Sequence, residues 1–357
     1  MKVLTVVGAR PQFVKAAPVS RVLREKHHEV LVHTGQHYDD ALSAAFFREL
    51  ELPDPDVNLG IGSGAHGAQT AEMLRALEPV LRAHEPDGVL LYGDTNSTLA
   101  GALAAAKVEF GGRRPWLAHV EAGLRSFNRA MPEERNRVVA DHLADLLLAP
   151  TPAAMAHLQG EGLGDRAVLV GDVMADAVCW AAPHAETHLP HEAAVRPGFV
   201  LLTLHRPDNV DDPARLAARL AMLPDDRPVV WPVHPRTAAV LHSHRMTLPP
   251  NVVTLEPAGY LAMLALERAA VVVATDSGGV QKEAYLAGTP CVTLRGETEW
   301  VETVEAGWNR VAGDDPEALR AALADATFMD RTRPRPELYG DGHAAERIVA
   351  ALEVAQG

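Results

Sequence analysis

Short runs of β-branched and aliphatic residues alternate along the chain with longer Ala- and Leu-rich runs, and this alternation constrains the fold more than any other feature. In the first half the strand-like runs fall near 3–7, 30–34, 89–92, 117–120 and 146–148, with helical runs near 18–25, 69–83, 97–107 and 134–144 between them. Apolar strands bounded by turns and followed by helices are what a parallel sheet covered on both faces requires. The pattern loosens from Val170 to Gly198, where Pro183, Pro190 and Pro197 stand among His and Glu residues. It resumes with strand-like runs near 199–203, 229–231, 252–255, 271–274 and 291–294, and closes on a helical run over 344–355. The expected fold is α/β, with two doubly wound Rossmann-like domains facing a cleft. Their expected spans are 1–175 and 176–340, with a C-terminal helix over 341–357. Ligands of such sheets bind beyond the carboxyl ends of the strands, so the strand-to-helix junctions are where chemistry belongs.

Composition removes several classes of function. A formal net charge of −14 argues against nucleic acid or an anionic membrane as partner. No apolar run approaches the roughly 20 residues of a membrane-spanning helix. Only Cys179 and Cys291 are present, which excludes a disulfide framework and disfavours a cysteine metal site. The opening Lys2–Val7 run ends in a turn and reads as a first strand, not a leader. A cytoplasmic enzyme without metal or redox cofactor is expected.

Four junctions carry chemistry-bearing residues. Gly8-Ala-Arg-Pro-Gln-Phe-Val-Lys15 follows the first strand and brings Arg10 and Lys15 to its end. Tyr92-Gly-Asp-Thr-Asn-Ser-Thr98 places Asp94 before a hydroxyl-rich helix start, where an N-cap is the plainest role. His119-Val-Glu-Ala-Gly-Leu-Arg125 puts Glu121 at a strand end, and Met131-Pro-Glu-Glu-Arg135 opens a helix with Glu133 and Glu134, where carboxylates favour the dipole. Lastly, Val271-Val-Val-Ala-Thr-Asp-Ser-Gly-Gly-Val-Gln-Lys-Glu283 runs from a buried strand through Ser277, Gly278 and Gly279 into a helix. The amides and positive dipole of such a helix end suit a phosphate.

Other signals lead elsewhere. Gly62-Ser-Gly-Ala-His-Gly67 matches a dinucleotide fingerprint, with Asp87 at the expected distance, but the preceding Pro53–Asn58 is not a buried strand. There is no Gly-x-Ser-x-Gly elbow and no His-Glu-x-x-His helix. His33 and His37 belong to a strand end and a loop, so they do not share a helical face. Of the 17 histidines, His205 and His234, each just past a strand of the second domain, are the functional candidates.

Taken together, Gly8-Ala-Arg-Pro, Gly93-Asp-Thr-Asn, His119-Val-Glu-Ala-Gly-Leu-Arg, Pro132-Glu-Glu, Leu204-His-Arg and Asp276-Ser-Gly-Gly-Val-Gln resemble the non-hydrolysing UDP-N-acetylglucosamine 2-epimerase family over nearly the whole chain. The resemblance implies a glycosyltransferase-B type of fold and a homodimer. It also implies interconversion of UDP-N-acetylglucosamine and UDP-N-acetylmannosamine, within polysaccharide precursor synthesis. Matched position by position, it puts nucleotide-sugar contacts on Arg10, Lys15, Asp94, Glu121, His205, Ser277, Gly278, Gly279 and Glu283. It implies catalytic roles for Asp94, Glu121 and Glu133, with His205 aiding departure of the diphosphate.

Two departures stand out. Where many members carry Thr-Glu-Arg-Pro-Glu, this chain has Thr298-Glu-Trp-Val-Glu302, which leaves Arg295 and Arg310 as cations that could replace the missing one. Sequences with this variant resemble both UDP-N-acetylglucosamine epimerases and epimerases of UDP-2,3-diacetamido-2,3-dideoxyglucuronate. Gln36, Arg206 and His234 match parts of the activating substrate site of some members, while the Arg expected near Ala71 is missing.

The residue types suit the implied reaction. C2 of the sugar is not beside a carbonyl, so its proton cannot leave alone. If UDP departs from C1 as the C2 proton is lost, the charge resides on the diphosphate and a 2-acetamidoglucal remains. Such a site needs a base, an acid for the opposite face, and cations with N–H donors for the diphosphate. Base and acid are not distinguished by residue type. A retaining glycosyltransferase would share the fold and the UDP site, but would require an acceptor.

Overall fold

The computed structural model describes residues 1–36 and 46–356. His37 lies outside them. The chain forms two compact units, Met1–Cys179 with Tyr339–Gly357, and Trp180–Leu338.

The first unit is built on a seven-stranded sheet ordered β3-β2-β1-β4-β5-β6-β7. Its strands are β1 Lys2–Val7, β2 His28–His33, β3 Val57–Asn58, β4 Gly88–Tyr92, β5 Trp116–Val120, β6 Leu146–Ala149 and β7 Ala167–Leu169. Each pairing is parallel: Leu4 lies beside Val30 on one side and Val89 on the other, and His119 beside Leu91 and Leu147. Buried strand residues of β1, β2, β4, β5 and β6 pack against Met73, Leu77 and Leu81 of the helix His66–His84 and against Ala100, Ala102, Ala104 and Ala105 of the helix Asn96–Ala105. The short edge strand β3 is only half-buried, in keeping with its Pro- and Asp-rich approach, and the glycine pattern after it leads into the helix His66–His84.

The second unit has a six-stranded parallel sheet ordered β10-β9-β8-β11-β12-β13. Here β8 is Val200–Thr203, β9 Val229–Pro232, β10 Val252–Leu255, β11 Val272–Thr275, β12 Cys291–Thr293 and β13 Asn309–Val311. In both sheets the strand order reverses at the middle, between β1 and β4 and between β8 and β11. These switch points are where doubly wound sheets open a crevice for ligands. The closing helix Ala344–Gln356 belongs to the first unit, where its Ala344 and Ala345 amides donate to Asp176 at 3.1 and 2.8 Å. No described helix is long and apolar enough to cross a membrane.

One boundary differs from the sequence expectation in a way that matters. The first helix runs from Arg10 to Lys26, through Pro18, rather than starting near Pro18. Pro11 sits in its first turn, where the fixed φ suits a helix start. Gln12 curls back so that its side-chain oxygen accepts from the Gly8 and Ala9 amides at 2.8 and 3.1 Å. Arg10 and Lys15 are therefore carried on a helix, not on a loop.

Candidate functional site

The β1–β4 switch point of the first unit gathers its groups through close backbone contacts. Gly8 is required there for proximity, not for its dihedral angles: a Cβ at this position would lie 2.1 Å from both the Ser97 and Thr34 hydroxyl oxygens. Those hydroxyls are themselves 2.8 Å apart, and the Gln36 side-chain oxygen accepts from the Ser97 amide at 3.0 Å. Gln12, besides capping its own helix, donates to the Tyr92 carbonyl at 2.8 Å and so ties the end of β1 to the end of β4.

Beyond β4, Gly93 turns with φ +62°, and a Cβ on it would meet the Lys15 ammonium at 3.3 Å and the Glu121 carboxylate at 3.5 Å. Lys15 and Glu121 form a direct ion pair. Glu121, the first residue after β5, has a left-handed backbone, φ +70°. That conformation costs of order 1–3 kcal/mol for a residue other than glycine, and such residues cluster at functional sites. Its amide donates to the Leu148 carbonyl of β6 at 3.1 Å, which holds the strained turn in place.

Asp94 is not the N-cap. Thr95 takes that role for the helix Asn96–Ala105, accepting from the Thr98 amide, which leaves the Asp94 carboxylate for another partner. That partner is Arg137, whose Nη2 and Nε donate to Asp94 Oδ2 at 2.5 and 3.2 Å. Arg137 also donates from Nη1 to Glu134 Oε2 at 2.8 Å. Its guanidinium is largely buried, and although burial opposes the charge, Asp94 and then Glu134 and Glu121 hold its pKa above the ordinary Arg value. Arg137 was not anticipated from sequence, although it stands three residues after Glu134 and four after Glu133, on one face of the helix Pro132–Leu143.

The two adjacent glutamates of that helix have separate tasks. Glu134 is buried and accepts from the Ser126 amide and hydroxyl, both at 2.9 Å, and from the Phe127 amide at 2.9 Å, shaping the segment between β5 and the helix. Glu133 is half-exposed and makes no side-chain hydrogen bond or ion pair among the described residues.

In the second unit the β8–β11 switch point is organised by Asp276, a buried carboxylate not singled out in the sequence. It accepts from the His205 and Arg206 amides at 3.1 and 3.0 Å and from Asn209 Nδ2 at 3.0 Å, and its Oδ1 lies 3.2 Å from His205 Nδ1. Burial alone would raise its pKa, but the His205 hydrogen bond and charge, then Asn209 and the Arg206 amide, hold it below the ordinary Asp value. Asp276 thus sets the His205 ring, which lies 5.7 Å from that of His234. Ser277 caps the helix Gly278–Ala287, and the first amides of that helix have no partner within it. Glu283, farther along, is half-buried beside the fully buried Glu267, whose pKa is pushed well up by burial and then by the Glu283 charge.

Trp300 is woven into the same helix start. Its indole N–H donates to the Gly278 carbonyl at 2.8 Å, and the Lys282 ammonium lies over its ring, 4.3 Å from the centroid. Of Arg295 and Arg310, only Arg295 stands here. It donates to Glu299 at 2.8 and 3.0 Å, and its Nη1 is 4.0 Å from where a Gly278 Cβ would lie. Arg310 is engaged elsewhere, with Asp325 at 2.5 Å and over the Phe328 ring.

Comparison with known proteins agrees with these motifs. Residues 21–353 match the family described as UDP-N-acetylglucosamine 2-epimerase. This chain belongs to that family. It is 44% identical to a UDP-N-acetylglucosamine 2-epimerase homolog of Methanococcus maripaludis, over 99% of both chains. It is 45% identical to the UDP-2,3-diacetamido-2,3-dideoxy-D-glucuronate 2-epimerase of Pseudomonas aeruginosa, again over 99% of both. Among solved structures it is similar to the Methanocaldococcus jannaschii UDP-GlcNAc 2-epimerase in complex with UDP-GlcNAc and UDP. That likeness has a TM-score of 0.89 and 39% identity, and covers 99% of this chain and 100% of the other. The family is one of isomerases, and the paired parallel sheets are its fold. Among the described residues no cluster of His, Cys, Asp or Glu could hold a metal ion.

Proposed function

We propose that this chain is a 2-epimerase that interconverts UDP-N-acetylglucosamine and UDP-N-acetylmannosamine by eliminating and re-adding UDP. The observation that carries the mechanism is the unequal pairing of three carboxylates in the first unit. Glu121 is matched with Lys15 and Asp94 with Arg137, whereas Glu133 has no cationic partner among the described residues. A carboxylate already held by a cation is fixed in place as an acceptor, and one without such a partner is left available to the substrate.

In this reading Asp94 or Glu121 takes the C2 proton as the C1–O bond breaks, the electron pair going to the departing diphosphate. The 2-acetamidoglucal stays bound. In the second half, C1 is attacked by UDP while a carboxyl group, Glu133 in our assignment, gives C2 a proton on the opposite face. Atoms and charge balance with no external oxidant or reductant. Arg10, Lys15, His205, Ser277 and the amides of Gly278 and Gly279 would hold the diphosphate, and Glu283 the nucleoside. Hydrogen-bond donors aimed at a leaving group act most strongly where water is excluded. The same family resemblance supports a homodimer working in the cytoplasm.

The Pseudomonas aeruginosa relative supports a second substrate, the diacetamido-uronate. Its extra carboxylate would require a cation within reach. A proton NMR time course in heavy water with each UDP-sugar tests both assignments. The expected product is the 2-epimer of UDP-N-acetylglucosamine, carrying solvent deuterium at C2. Retention of the C2 proton would refute elimination. A kcat/KM at least about tenfold higher for the uronate would reassign the sugar while leaving the 2-epimerase intact; that ratio is about 1.4 kcal/mol of transition-state binding.

A further inference from the structure

His119 lies on β5, two residues before Glu121, and is fully buried. Its two ring nitrogens face acceptors: Nδ1 is 2.7 Å from Asp141 Oδ1, and Nε2 is 2.7 Å from the Gly93 carbonyl oxygen. A carbonyl has no proton to give. Asp141 is occupied as an acceptor on its other oxygen too, by Arg125 Nη1 at 2.7 Å and the Gly123 amide at 3.1 Å. With Asp141 ionised, as its Arg125 and Gly123 donors favour, a neutral imidazole and its single N–H would set a lone pair against an acceptor at one of these two short contacts. Only the imidazolium donates to both. Leaving a buried acceptor unmet costs about 1–3 kcal/mol, which favours the charged form here.

The surrounding charges agree. Burial works against a charged ring, yet the Asp141 hydrogen bond and charge, then the Gly93 carbonyl and Glu121, hold the His119 pKa above its ordinary value. The Asp141 carboxyl is held low: burial opposes this, and the His119 bond and charge, followed by Arg125, outweigh it. Arg125 is shared with Glu161 at 2.7 Å. Around these stand Glu121 with Lys15, and Asp94 and Glu134 with Arg137.

We propose that His119 is a positioning residue, a buried imidazolium that ties the Gly93 carbonyl to β5 and keeps a fixed positive charge beneath the turns carrying Asp94 and Glu121. Gly93 is the hinge of this arrangement. Its amide donates to Val120 at 3.2 Å, its carbonyl is fixed by His119, and its positive φ then sets the direction in which Asp94 leaves β4. A neutral ring would release one of these ties and leave the local carboxylates with one cation fewer. This inference rests on the epimerase reading for its kinetic consequence, but not for the protonation state.

Two measurements on the full chain test it. In protein labelled with ¹⁵N-histidine, the His119 ring, assigned by its loss in His119→Gln, should show two protonated nitrogens at pH 7.5. A single N–H at pH 7.5 overturns the imidazolium, including the case in which Asp141 carries the proton. In kinetics, His119→Gln should lower kcat by about 10–100-fold, the scale of an ångström-sized misplacement. KM and UDP binding by calorimetry should stay within about threefold of wild type. Unchanged kcat overturns the positioning role. Should His119→Gln not fold, Asp141→Asn serves: without its counter-ion His119 should lose its proton as pH rises, and kcat should fall with it. A flat kcat–pH profile for Asp141→Asn alongside a ring that visibly titrates also overturns the proposal. If the wild type turns over no UDP-sugar, the epimerase reading fails while the NMR result still decides the protonation state.

Discussion

Arg137→Met removes the cation that organises Asp94 and nearly preserves side-chain length and the apolar stem. The guanidinium makes three hydrogen bonds to two carboxylates, and its side chain is 9% exposed. Hydrogen bonds to charged groups contribute about 1.5–3 kcal/mol each, and breaking a buried ion pair costs roughly 3–5 kcal/mol. Two features reduce the loss. Asp94 is 30% exposed and can be rehydrated, and Glu134 keeps the Ser126 and Phe127 donors. A destabilisation of about 2–4 kcal/mol follows, and at about 2–4 °C per kcal/mol for a domain of this size the melting temperature should drop by about 5–15 °C.

Turnover should fall further than stability explains, because an Asp94 carboxylate free to rotate no longer holds its place. The loss of one positioned acid–base group is worth about 10²-fold, or roughly 2.7 kcal/mol of barrier. Arg137→Lys should be intermediate, since an ammonium is a point charge and does not span two carboxylates as a planar fork does. Differential scanning fluorimetry and NMR-monitored initial rates at a temperature where both variants remain folded provide the readouts. A folded Arg137→Met enzyme with kcat within threefold of wild type would refute the claim that this pairing organises catalysis.

Asp94→Asn, Glu121→Gln and Glu133→Gln should each lower kcat by at least about 10²-fold. UDP affinity, measured by calorimetry, should change far less, and a variant with wild-type turnover leaves the catalytic set. Gly8→Ala should destabilise by about 1–3 kcal/mol in denaturant titrations, because the Ser97 and Thr34 hydroxyls it would strike are buried and hydrogen-bonded. Asp276, with its pKa held down in the fold, contributes stability above the unfolded Asp value of about 3.9 and loses it as pH falls further. Asp276→Asn should therefore be less stable at pH 7 and should lack part of that acid dependence in a pH series of melts. Activity should persist in excess EDTA, since diphosphate stabilisation is assigned to side chains and amides; loss that a divalent ion restores would contradict it.

What was legible in the sequence is what short spacing encodes. The strand runs, the glycines after β1 and β11, and the carboxylates at the ends of β4 and β5 all lie within a few residues of a turn signal. Pro18 favours a helix start in local sequence, whereas Pro11 in the first turn and the Gln12 side chain set the start eight residues earlier, at Arg10. Arg137 has a local signal, its helical spacing from Glu133 and Glu134. His119 stands inside a recognised motif, but its partners Gly93 and Asp141 are 26 and 22 residues away; pairing of β4 with β5 brings up the first, and packing of the helix Pro132–Leu143 the second. No local pattern announces such a contact. Asp276 was similarly hidden: it acts on residues 67 to 71 positions earlier in the chain.

The Trp300 position is best understood together with Lys282. Taken alone, a tryptophan where the family resemblance implies an arginine reads as the loss of a cation and a reshaped sugar pocket. In the fold the indole N–H holds the Gly278 carbonyl, and the ring face lies under the nearly fully buried Lys282 ammonium. An ammonium over an indole gains about 0.5–2 kcal/mol, the more so when shielded from water. A guanidinium at position 300 would instead set two cations against each other in the same space. The exchange is therefore a coupled one: the positive charge of this region is present at Lys282 and Arg295, and the aromatic residue makes the buried lysine tolerable while bracing the first turn of the helix that is proposed to meet the diphosphate. On this account Trp300 reports on how the helix start is held, and carries little information about which amino sugar occupies the site.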